Sequence, residues 1–409
     1  MRTTADHYEY TGRPNRILAY CHDGVGLGHF HRTLAISERV RKTIPSSTFL
    51  LATGTPYVPI FELPQGVDYI KLPSIAKMGS QSYRGKYLNT PIEDILRCRE
   101  AILLSTAQTY NPQVLLVDKA PAGVCGELLP TLRWLRKHRP QTRIIFGMRD
   151  IEDDPERTIA QWSASGAVAA LDECYDEIWV YGMRNVFDSI EAYRLPPSVR
   201  DKMHFVGYIV QDPCNHELSA SAPVRKVLVT VGGGTDGEFV LKTFLAQAAE
   251  RVSAGGMHST IVGGPDLPAP VARELRRSAE RIGTVQWLDF VSCMNCLIRE
   301  ADMIVSMGGY NTLCEVVSNG KPAVVIPRTS PRVEQAIRAR LWSRRAALDV
   351  LCPEELTPKT LADHVLAMLG NGSGRRVSDL DFGGLDRVSQ RFSAFWNGET
   401  ERATAVCVQ

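Results

Sequence analysis

The sequence has no apolar run close to the length that crosses a membrane. A spanning helix needs about 20 consecutive apolar residues, and every apolar run in this 409-residue chain is shorter. The first residues, MRTTADHYEYTGRPN, are polar and do not contain the hydrophobic stretch of a secretory signal peptide. We therefore expect no transmembrane segment and a cytoplasmic location.

The chain also carries almost no net charge. Its 47 Lys and Arg nearly balance its 45 Asp and Glu, leaving a formal charge of +2. It has no long basic tract and no arginine-rich stripe. Because nucleic-acid binding depends on such a basic surface, we expect no nucleic-acid partner. The composition does not indicate the oligomeric state.

Paired cysteines are scarce, although the chain has ten cysteines. Only Cys293 and Cys296 form a CxxC, and no second CxxC or histidine pair lies nearby to complete four zinc ligands. The same spacing suits two small, half-buried residues on a helix. We therefore expect reduced structural thiols and no metal site.

The remaining patterns indicate an α/β protein with two domains. Short β-branched and apolar runs alternate with longer helical patterns, which is typical of a parallel sheet. A polar segment with two prolines, QDPCNHELSASAPV, separates two such series. We predict two Rossmann-like domains facing a central cleft, with the following divisions: a flexible N-terminus 1–14, an N-terminal domain 15–210, a linker 211–224, a C-terminal domain 225–385, and a C-terminal helix and tail 386–409.

Loops that follow strands are where the chemistry should lie, because parallel sheets bind ligands beyond the carboxyl ends of their strands. The predicted strands are 16–21, 48–53, 67–72, 114–118, 143–149, 177–182, 204–210, 226–232, 259–262, 285–290, 303–306 and 323–327. Predicted helices include 31–43, 92–110 and 124–138, and residues 77–86 read as a loop.

The segment MIVSMGGYNTLCEVVSNGKPAVVIPRTSPRVEQ carries the strongest functional signal. Its apolar run ends at Gly308 and Gly309, and a helical pattern begins at once. Two glycines at a strand-to-helix turn leave backbone N–H groups bare at a helix N-terminus, where the helix dipole favours an anion. The pattern predicts a seat for phosphate.

A second glycine-rich turn, HDGVGLGHFHR, follows the first predicted strand. It does not match GxGxxG and no acidic residue ends the next strand, so a nicotinamide dehydrogenase is disfavoured. Of its three histidines, His29 follows the glycines and is the candidate general base. Asp118, at a strand end, is the candidate partner that orients the ring, or alternatively a helix cap. We expect His22 and His31 to cap or pack.

With Gly28-His29 at the first turn and MGGYNTLCEVVSNGKPAVVIPR late in the chain, the sequence resembles the GT-B glycosyltransferases. The late block is most similar to the family 28 group, which includes the bacterial N-acetylglucosaminyltransferase that makes lipid II. The likeness follows the domain order of nearly the whole chain and is specific over residues 227–335. It implies a nucleotide-diphosphate sugar held by the C-terminal domain, an acceptor held by the N-terminal domain, and no essential metal or other cofactor.

The resemblance also implies a role for each donor-binding residue. Gly308, Gly309, Tyr310, Asn311 and Thr312 would hold the diphosphate, and the loop Gly232, Gly233 and Gly234 would close over the phosphates. Gly263 and Gly264 would line the same cleft. Glu315 would bind the ribose, Phe290 and Val291 the base, and Glu334 and Gln335 the sugar.

General chemistry supports these donor-binding roles, although Arg328 and Glu315 each have an alternative structural role. Without a metal, a leaving diphosphate is neutralised by helix dipoles, N–H groups and basic side chains. Arg328, at a strand end, is a candidate cation that could equally pair with Glu334. Thr312 and Glu315 also have the spacing of a capping box, which would make Glu315 structural.

The loop TSPRVEQ departs from the glutamine run of the lipid II enzyme by adding Arg332 and Glu334. The N-terminal motifs DKAPAG and RDIEDD have no counterpart that we place in the family, although both follow strands. The acidic residues beside Pro155 fit the first turn of a helix. The candidate acceptor contacts are Gly28, Lys119, Arg149, Tyr83 and Arg84.

We therefore hypothesise a metal-independent, inverting glycosyltransferase that moves a sugar from a nucleotide-diphosphate donor, with UDP as the expected nucleotide, to a small or amphipathic acceptor. Two alternatives stay open: a non-hydrolysing nucleotide-sugar epimerase, and a non-catalytic nucleotide-sugar-binding protein. A metal-dependent transferase of the other major fold is disfavoured, because Asp379-Leu380-Asp381 lies in the tail and not at a strand end.

Overall fold

The structure is a computed structural model that describes residues 14–22, 27–78, 82–212, 224–370 and 378–406. Gly24 and Gly26 of the first glycine-rich turn therefore lie outside the described residues, as does most of the predicted linker. No helix in the described ranges has both the length and the apolar character that a membrane span requires.

The N-terminal domain is built on a seven-stranded sheet. Its elements, in chain order, are β1 (Asn15–Cys21), α1 (Gly28–Thr43), β2 (Ser47–Thr53), β3 (Val67–Lys71), β4 (Ile75–Lys77), β5 (Tyr83–Gly85), α2 (Ile92–Tyr110), β6 (Val114–Asp118), α3 (Leu129–His138), β7 (Arg143–Arg149), α4 (Pro155–Ser165), α5 (Ala167–Cys174), β8 (Glu177–Tyr181), α6 (Ser189–Ala192), α7 (Pro197–Arg200) and β9 (Met203–Phe205). The sheet order is β3-β2-β1-β6-β7-β8-β9, and β4 pairs with β5 as a separate antiparallel hairpin.

The C-terminal domain is built on a six-stranded sheet of order β12-β11-β10-β13-β14-β15. Its elements are β10 (Arg225–Thr230), α8 (Glu238–Thr243), which continues through the π-helical turn Phe244–Ala248 into α9 (Ala249–Ala254), β11 (Met257–Val262), α10 (Ala269–Glu280), β12 (Val285–Leu288), α11 (Met294–Glu300), β13 (Met303–Ser306), α12 (Tyr310–Ser318), β14 (Ala323–Val325), α13 (Glu334–Ser343), β15 (Leu348–Val350) and α14 (Pro358–Gly370). The last helix is α15 (Gly384–Val406).

Every pairing within the two large sheets is parallel, and both faces of each sheet are covered. In β1, Ile17 and Ala19 belong to one apolar core, whereas Leu18 and Tyr20 belong to another on the opposite face. All five residues of β6 are buried. Strands that are buried on two sides read as continuous apolar runs, which is why the sequence predicts them well.

Most predicted strands are confirmed to within two residues, and the predicted α/β fold class is confirmed. The strand predicted over 204–210 is too long, because Gly207 adopts a φ of +83° and the chain leaves the sheet there. The helix predicted to begin at 124 begins as α3 at Leu129. The strand β15 was not predicted.

The loop predicted over 77–86 is wrong, since its two ends form the hairpin β4–β5. Tyr83 packs with Ile92 and Leu96 against a small apolar cluster that includes Ile75 and Ile95. This packing supplies an apolar face that the polar letters of the segment do not reveal.

Helix α15 packs back on the N-terminal domain. The ring of Phe392 lies 6.2 Å from Phe49 and 5.2 Å from Trp179, and Arg391 Nε donates to Glu177 Oε2 at 2.8 Å. The segment before the helix is held as well, because Tyr208 N donates to Asp381 O at 2.8 Å. The segment that follows the C-terminal domain is therefore anchored on the N-terminal domain.

A buried ion pair joins the domains beside the cleft. Arg338 of α13 donates from Nε and Nη2 to the two carboxylate oxygens of Asp150, at 2.8 Å and 2.7 Å. The hydroxyl of Tyr310 accepts from Ile209 N at 3.0 Å and donates to Tyr181 O at 3.0 Å. These contacts hold the start of α12 against the N-terminal domain.

We predict that Arg338→Met lowers the free energy of unfolding by about 3–5 kcal/mol, because it leaves the Asp150 carboxylate buried without its cation. Urea unfolding followed by tryptophan fluorescence measures the change. The matched control is Arg345→Met, whose partner Asp379 is exposed, and it should cost at most about 1 kcal/mol. Equal losses in the two variants would contradict a special role for the buried pair.

Candidate active site

A cleft of about 500 Å³ lies between the two domains. We call it the main cleft. A smaller cavity of about 140 Å³, the side pocket, is continuous with it because Gly28, Gly232 and Thr312 line both. The walls are the loops that follow strands: His22 follows β1, Lys119 follows β6, Val231 follows β10, Met307 follows β13 and Arg328 lies beyond β14.

The turn into α12 presents bare N–H groups to the main cleft. Gly308 adopts a φ of +78°, and a Cβ there would lie 2.9 Å from Val325 Cγ1, so the turn requires glycine. Helix α12 starts at Tyr310 without a side-chain cap. Gly309 to Thr312 line the cleft, whereas Gly308 shapes the turn without lining it. The geometry therefore suits an anion at this helix N-terminus.

The loop Gly232–Gly234 forms the neighbouring part of the wall. It packs directly on Gly264, where an added Cβ would lie 2.5 Å from Gly232 O. Asp266 N also donates to Gly233 O at 2.8 Å. Backbone thus packs against backbone, and the loop that was predicted to cover the phosphates lines the same cleft as His29.

The carboxyl group of Glu315 faces the side pocket. The residue is only 4% exposed, and burial raises the pKa of its carboxyl to about 8. The alternative that Glu315 belongs to a capping box is wrong, because Gly309 occupies the cap position of α12 and no side chain caps it. A buried carboxyl facing a cavity is suited to bind ligand hydroxyl groups.

Aromatic side chains enclose the other end of the side pocket. Phe290 and Val291 line it, as predicted for the base. From the N-terminal domain, Phe61 meets Phe290 edge to face with ring centroids 6.1 Å apart, and His31 lies 6.0 Å from Phe61. The flat, apolar enclosure suits a planar ring.

His29 and Asp118 form a hydrogen-bonded pair at the N-terminal wall of the main cleft. His29 Nδ1 and Asp118 Oδ2 are 2.5 Å apart, and Arg32 donates to Asp118 Oδ1 from Nε at 3.1 Å and from Nη2 at 2.6 Å. Burial raises the pKa of Asp118, but Arg32 and His29 outweigh it and hold that pKa well below its usual value. The alternative that Asp118 caps a helix is wrong, since Leu128 occupies the cap position of α3 without a side-chain bond.

Burial makes His29 a neutral base. It lowers the pKa of the imidazole to about 4, and Arg32 and Arg149 add to the shift while Asp118 opposes it. The ionised carboxylate assigns the proton to Nδ1, which leaves the Nε2 lone pair free to take a proton from a substrate. His29 also lies at the surface of the cleft.

The other two histidines of the first turn also reach the ligand cavities. His22 meets His29 edge to face with centroids 5.4 Å apart and lines the main cleft. Burial holds its pKa well below the usual value, and its Nδ1 has no hydrogen-bond partner among the described residues. His31 lines the side pocket. Both pack, as predicted, but in contact with the cavities.

Arg328 forms ion pairs with two carboxylates. It donates to Asp236 at 2.6 Å and pairs with Glu334, so the alternative that it pairs with Glu334 describes the structure. Its backbone N–H donates to Gln335 Oε1 at 3.0 Å. Burial raises the pKa of Glu334, but Arg149 and Arg328 outweigh it and lower that pKa to about 2. All four of these side chains line the main cleft.

The candidate acceptor contacts separate into two groups. Gly28, Lys119 and Arg149 line the main cleft. Tyr83 and Arg84 do not appear among the lining residues, because Tyr83 packs in the cluster beneath the hairpin and Arg84 is exposed. From the same region, Met78 reaches the cleft instead.

Sequence reasoning missed several residues of this site. Arg32 had a usable signal, since it lies three positions after His29 and so on the same face of α1. Asn311 was expected to act through its backbone, yet its side chain donates to Gly28 O at 3.0 Å across the cleft. No pattern in the sequence indicates that Arg149 and Arg332, which come from different domains, line one cavity.

The described part of the chain has no arrangement of side chains for the metal-dependent chemistry considered above. Asp379 and Asp381 pair with Arg345 and Arg387, which makes them structural. No group of three or more His, Cys, Asp or Glu side chains in that part is arranged to hold a metal ion. The Sγ atoms of Cys293 and Cys296 are 3.0 Å apart at the start of α11.

Two parallel sheets whose strand ends face one cleft define the GT-B class of fold, and the chain has this fold. MurG of Acinetobacter baumannii shares the architecture with a TM-score of 0.56 and 13% identity over 93% of this chain and 100% of that one. A protein from Listeria monocytogenes described as a UDP-N-acetylglucosamine 2-epimerase gives a TM-score of 0.65 and 12% identity over 95% of this chain and 97% of that one. At these identities the likeness shows the fold alone.

Within that class, residues 227–376 match the Glycosyltransferase family 28 C-terminal domain, so the second domain is similar to that family over these residues. The UDP-N-acetylglucosamine--N-acetylmuramyl-(pentapeptide) pyrophosphoryl-undecaprenol N-acetylglucosamine transferase of Clavibacter michiganensis is 32% identical over 164 residues, which are 40% of this chain and 41% of that protein. The chain thus matches about two fifths of the length of the first curated relatives. The predicted resemblance is confirmed.

We predict that the His29 imidazole titrates near pH 4 and that Arg32→Met raises its pKa, because the variant removes a nearby cation and leaves Asp118 in place. Two-dimensional ¹H–¹⁵N NMR of the imidazole nitrogens measures both. His31 is an internal control, since burial alone lowers its pKa to about 4. Arg32→Lys, which keeps the charge, should leave His29 low. An unchanged His29 in Arg32→Met would contradict the arrangement.

Proposed function

We propose that this protein is a glycosyltransferase that moves a sugar from a UDP-linked donor to a hydroxyl group of a small or amphipathic acceptor. The observation that carries the proposal is the position of His29, which lines the same cleft as the bare N-terminus of α12 and comes from the other domain. A base and an anion seat on opposite walls are what direct displacement of a diphosphate requires. The family 28 match supports the class of reaction.

The donor lies along the C-terminal wall in this proposal. The uracil ring enters the side pocket beside Phe290 and Val291, and the ribose hydroxyls bond to Glu315. The diphosphate then reaches the N–H groups of Tyr310 to Thr312 and the loop Gly232–Gly234. The sugar follows toward Glu334 and Gln335. The name of the Clavibacter relative, which specifies UDP-N-acetylglucosamine, supports UDP as the nucleotide.

His29 acts in this scheme as the general base. Its Nε2 takes the proton of the acceptor hydroxyl while the oxygen attacks the anomeric carbon from the face opposite the leaving diphosphate, so the configuration inverts. Asp118 stabilises the imidazolium that forms, and Arg32 positions Asp118. The leaving charge is neutralised by the α12 dipole and its N–H groups.

We further propose that the reaction needs no metal ion, because the groups just described supply the stabilisation. Turnover should then be unchanged by EDTA. A cytoplasmic location is also part of the proposal, and a non-hydrolysing epimerase remains the competing activity for this fold.

We predict that His29→Ala lowers turnover by about 10²–10⁴ while leaving the dissociation constant of the UDP-sugar within twofold of the wild type. His29 touches the acceptor side, so the donor contacts survive. The readout is UDP release from candidate UDP-sugars with and without an acceptor panel, and calorimetry gives the donor affinity. His138→Ala, an exposed histidine outside the cleft, is the control.

Product analysis in the same experiment separates the competing activities. Slow UDP release without an acceptor supports a transferase. Accumulation of an epimeric UDP-sugar would replace the proposal with the epimerase. Full turnover in His29→Ala would remove His29 from the mechanism.

We predict that UDP-sugar affinity rises with pH up to about pH 8 and then levels off. The ribose hydroxyls donate to the ionised form of Glu315, whose pKa is about 8 in the free protein, so below that pH binding must release a proton. Calorimetry in two buffers of different ionisation enthalpy measures the release. The diphosphate of a UDP-sugar does not itself titrate near neutrality.

The matched variant is Glu315→Gln, which keeps the shape and cannot ionise. It should weaken binding by about tenfold, the loss expected for one hydrogen bond to a charged acceptor, and its affinity should not depend on pH in this range. Wild-type binding without proton release would contradict the ribose role.

A further inference from the structure

Arg149 lines the main cleft and donates no hydrogen bond to a carboxylate of the described residues. It ends β7, its side chain is 13% exposed, and the nearest carboxylate oxygen, on Glu152, is 3.8 Å away. Its Nε is buried and has no hydrogen-bond partner among the described residues. A buried guanidinium normally donates two hydrogen bonds to one planar anion.

The deeply buried arginines of the described chain show how a buried guanidinium is held here. Arg32, Arg99 and Arg338 each donate from two nitrogens to one carboxylate group. Arg149 is less buried than these three, but its buried Nε has no such hydrogen bond. An arginine that lines a cleft and has a buried nitrogen without a hydrogen bond is suited to bind an anionic group of a ligand.

Two further cations face the same corner. Lys119 adopts a left-handed φ of +75°, held by a hydrogen bond from its N–H to Gly147 O at 3.0 Å, and its side chain lines the cleft. Arg332, from the loop before α13, lines the cleft and makes no ion pair or hydrogen bond in the described part of the chain. We call Lys119, Arg149 and Arg332 the basic corner.

The carboxylates near the basic corner do not balance it. Glu152 pairs with Lys119, yet one of its oxygens is buried without a partner. Glu334, the other nearby carboxylate, is held by Arg328. Burial, with Arg149 and Arg332 adding to it, lowers the pKa of Lys119 to about 7. Arg149 and Arg332 therefore remain the two cations of the corner that donate no hydrogen bond to a carboxylate of the described residues.

The corner lies on the acceptor side of the reaction. Lys119 directly follows Asp118, and Arg149 is close enough to His29 to lower its pKa. Both come from the N-terminal wall, whereas the proposed phosphate seat is formed by the Gly232–Gly234 loop and the start of α12. An anion at the corner would therefore sit beside the hydroxyl that His29 deprotonates.

We propose that the basic corner binds an anionic group, a carboxylate or a phosphate, carried by the acceptor close to its nucleophilic hydroxyl. This inference rests on the proposed function and narrows it: the acceptor is an acid. Arg149 makes the bidentate contact, and Lys119 and Arg332 flank it. The opposite assignment, in which these cations hold the donor diphosphate, is an outcome of the test.

The experiment uses the whole protein saturated with UDP, so that the donor phosphate seat is occupied. Three probes share one sugar frame: glucose, glucuronate and glucose 6-phosphate. Their dissociation constants are measured by NMR titration. We expect at least one anionic probe to bind about tenfold or more tightly than glucose, as charge-assisted bidentate bonds would give. The comparison of glucuronate with glucose 6-phosphate shows which anion is preferred.

The variant Arg149→Gln should remove that preference and leave UDP affinity within twofold of the wild type. Arg344→Gln is the control, because Arg344 is exposed and lies outside the cleft lining. Circular dichroism confirms that both variants fold, and Arg332→Gln is a second variant expected to weaken the anionic probes alone.

Three results would overturn the inference. The first is that neither anionic probe binds more tightly than glucose. The second is that the preference for the anionic probes survives in both Arg149→Gln and Arg332→Gln. The third is that Arg149→Gln weakens the binding of UDP itself by tenfold, which would assign the corner to the donor. A protein that binds no UDP or UDP-sugar would instead refute the proposed function, so the two failures are distinct.

Discussion

The ring of Tyr310 lies between two buried arginines, and the geometry of the cleft depends on that contact. The guanidinium carbon of Arg32 is 5.3 Å from the ring centroid and that of Arg338 is 5.4 Å away. Arg32 holds Asp118, and Arg338 holds Asp150. One side chain at the start of α12 therefore links the base of the N-terminal domain to the anion seat of the C-terminal domain.

Burial sets the chemical state of each group around this contact. The same desolvation that keeps His29 neutral raises the pKa of Glu315, because in both cases water is withdrawn from the charged form. Asp118 stays ionised because Arg32 and His29 are beside it and together hold its pKa low. The cleft thus contains a neutral base, a fixed carboxylate and an arginine, Arg149, that still lacks a full partner.

The sequence predicted those parts of the site whose geometry depends on a few neighbouring backbone positions. The turn at Gly308 needs a positive φ and an apolar strand before it, and both are visible in the sequence. His29 was identified because it follows glycines at a helix start. The hairpin β4–β5 was missed, since its stability comes from Ile75, Tyr83 and Ile95 packing together. The capping-box alternative for Glu315 failed because the helix begins at Tyr310, before the residue that would have capped it.

By itself, the sequence determined the α/β class, the two domains' parallel strands and the glycine turns, because buried strands and positive-φ positions restrict residue type over a few neighbouring positions. Only the tertiary structure decided which charges face each other. Arg338 and Asp150 are 188 positions apart, and Arg149 and Arg332 come from different domains. Pairing and burial between such distant residues follow from how the domains dock, and no local pattern records that arrangement.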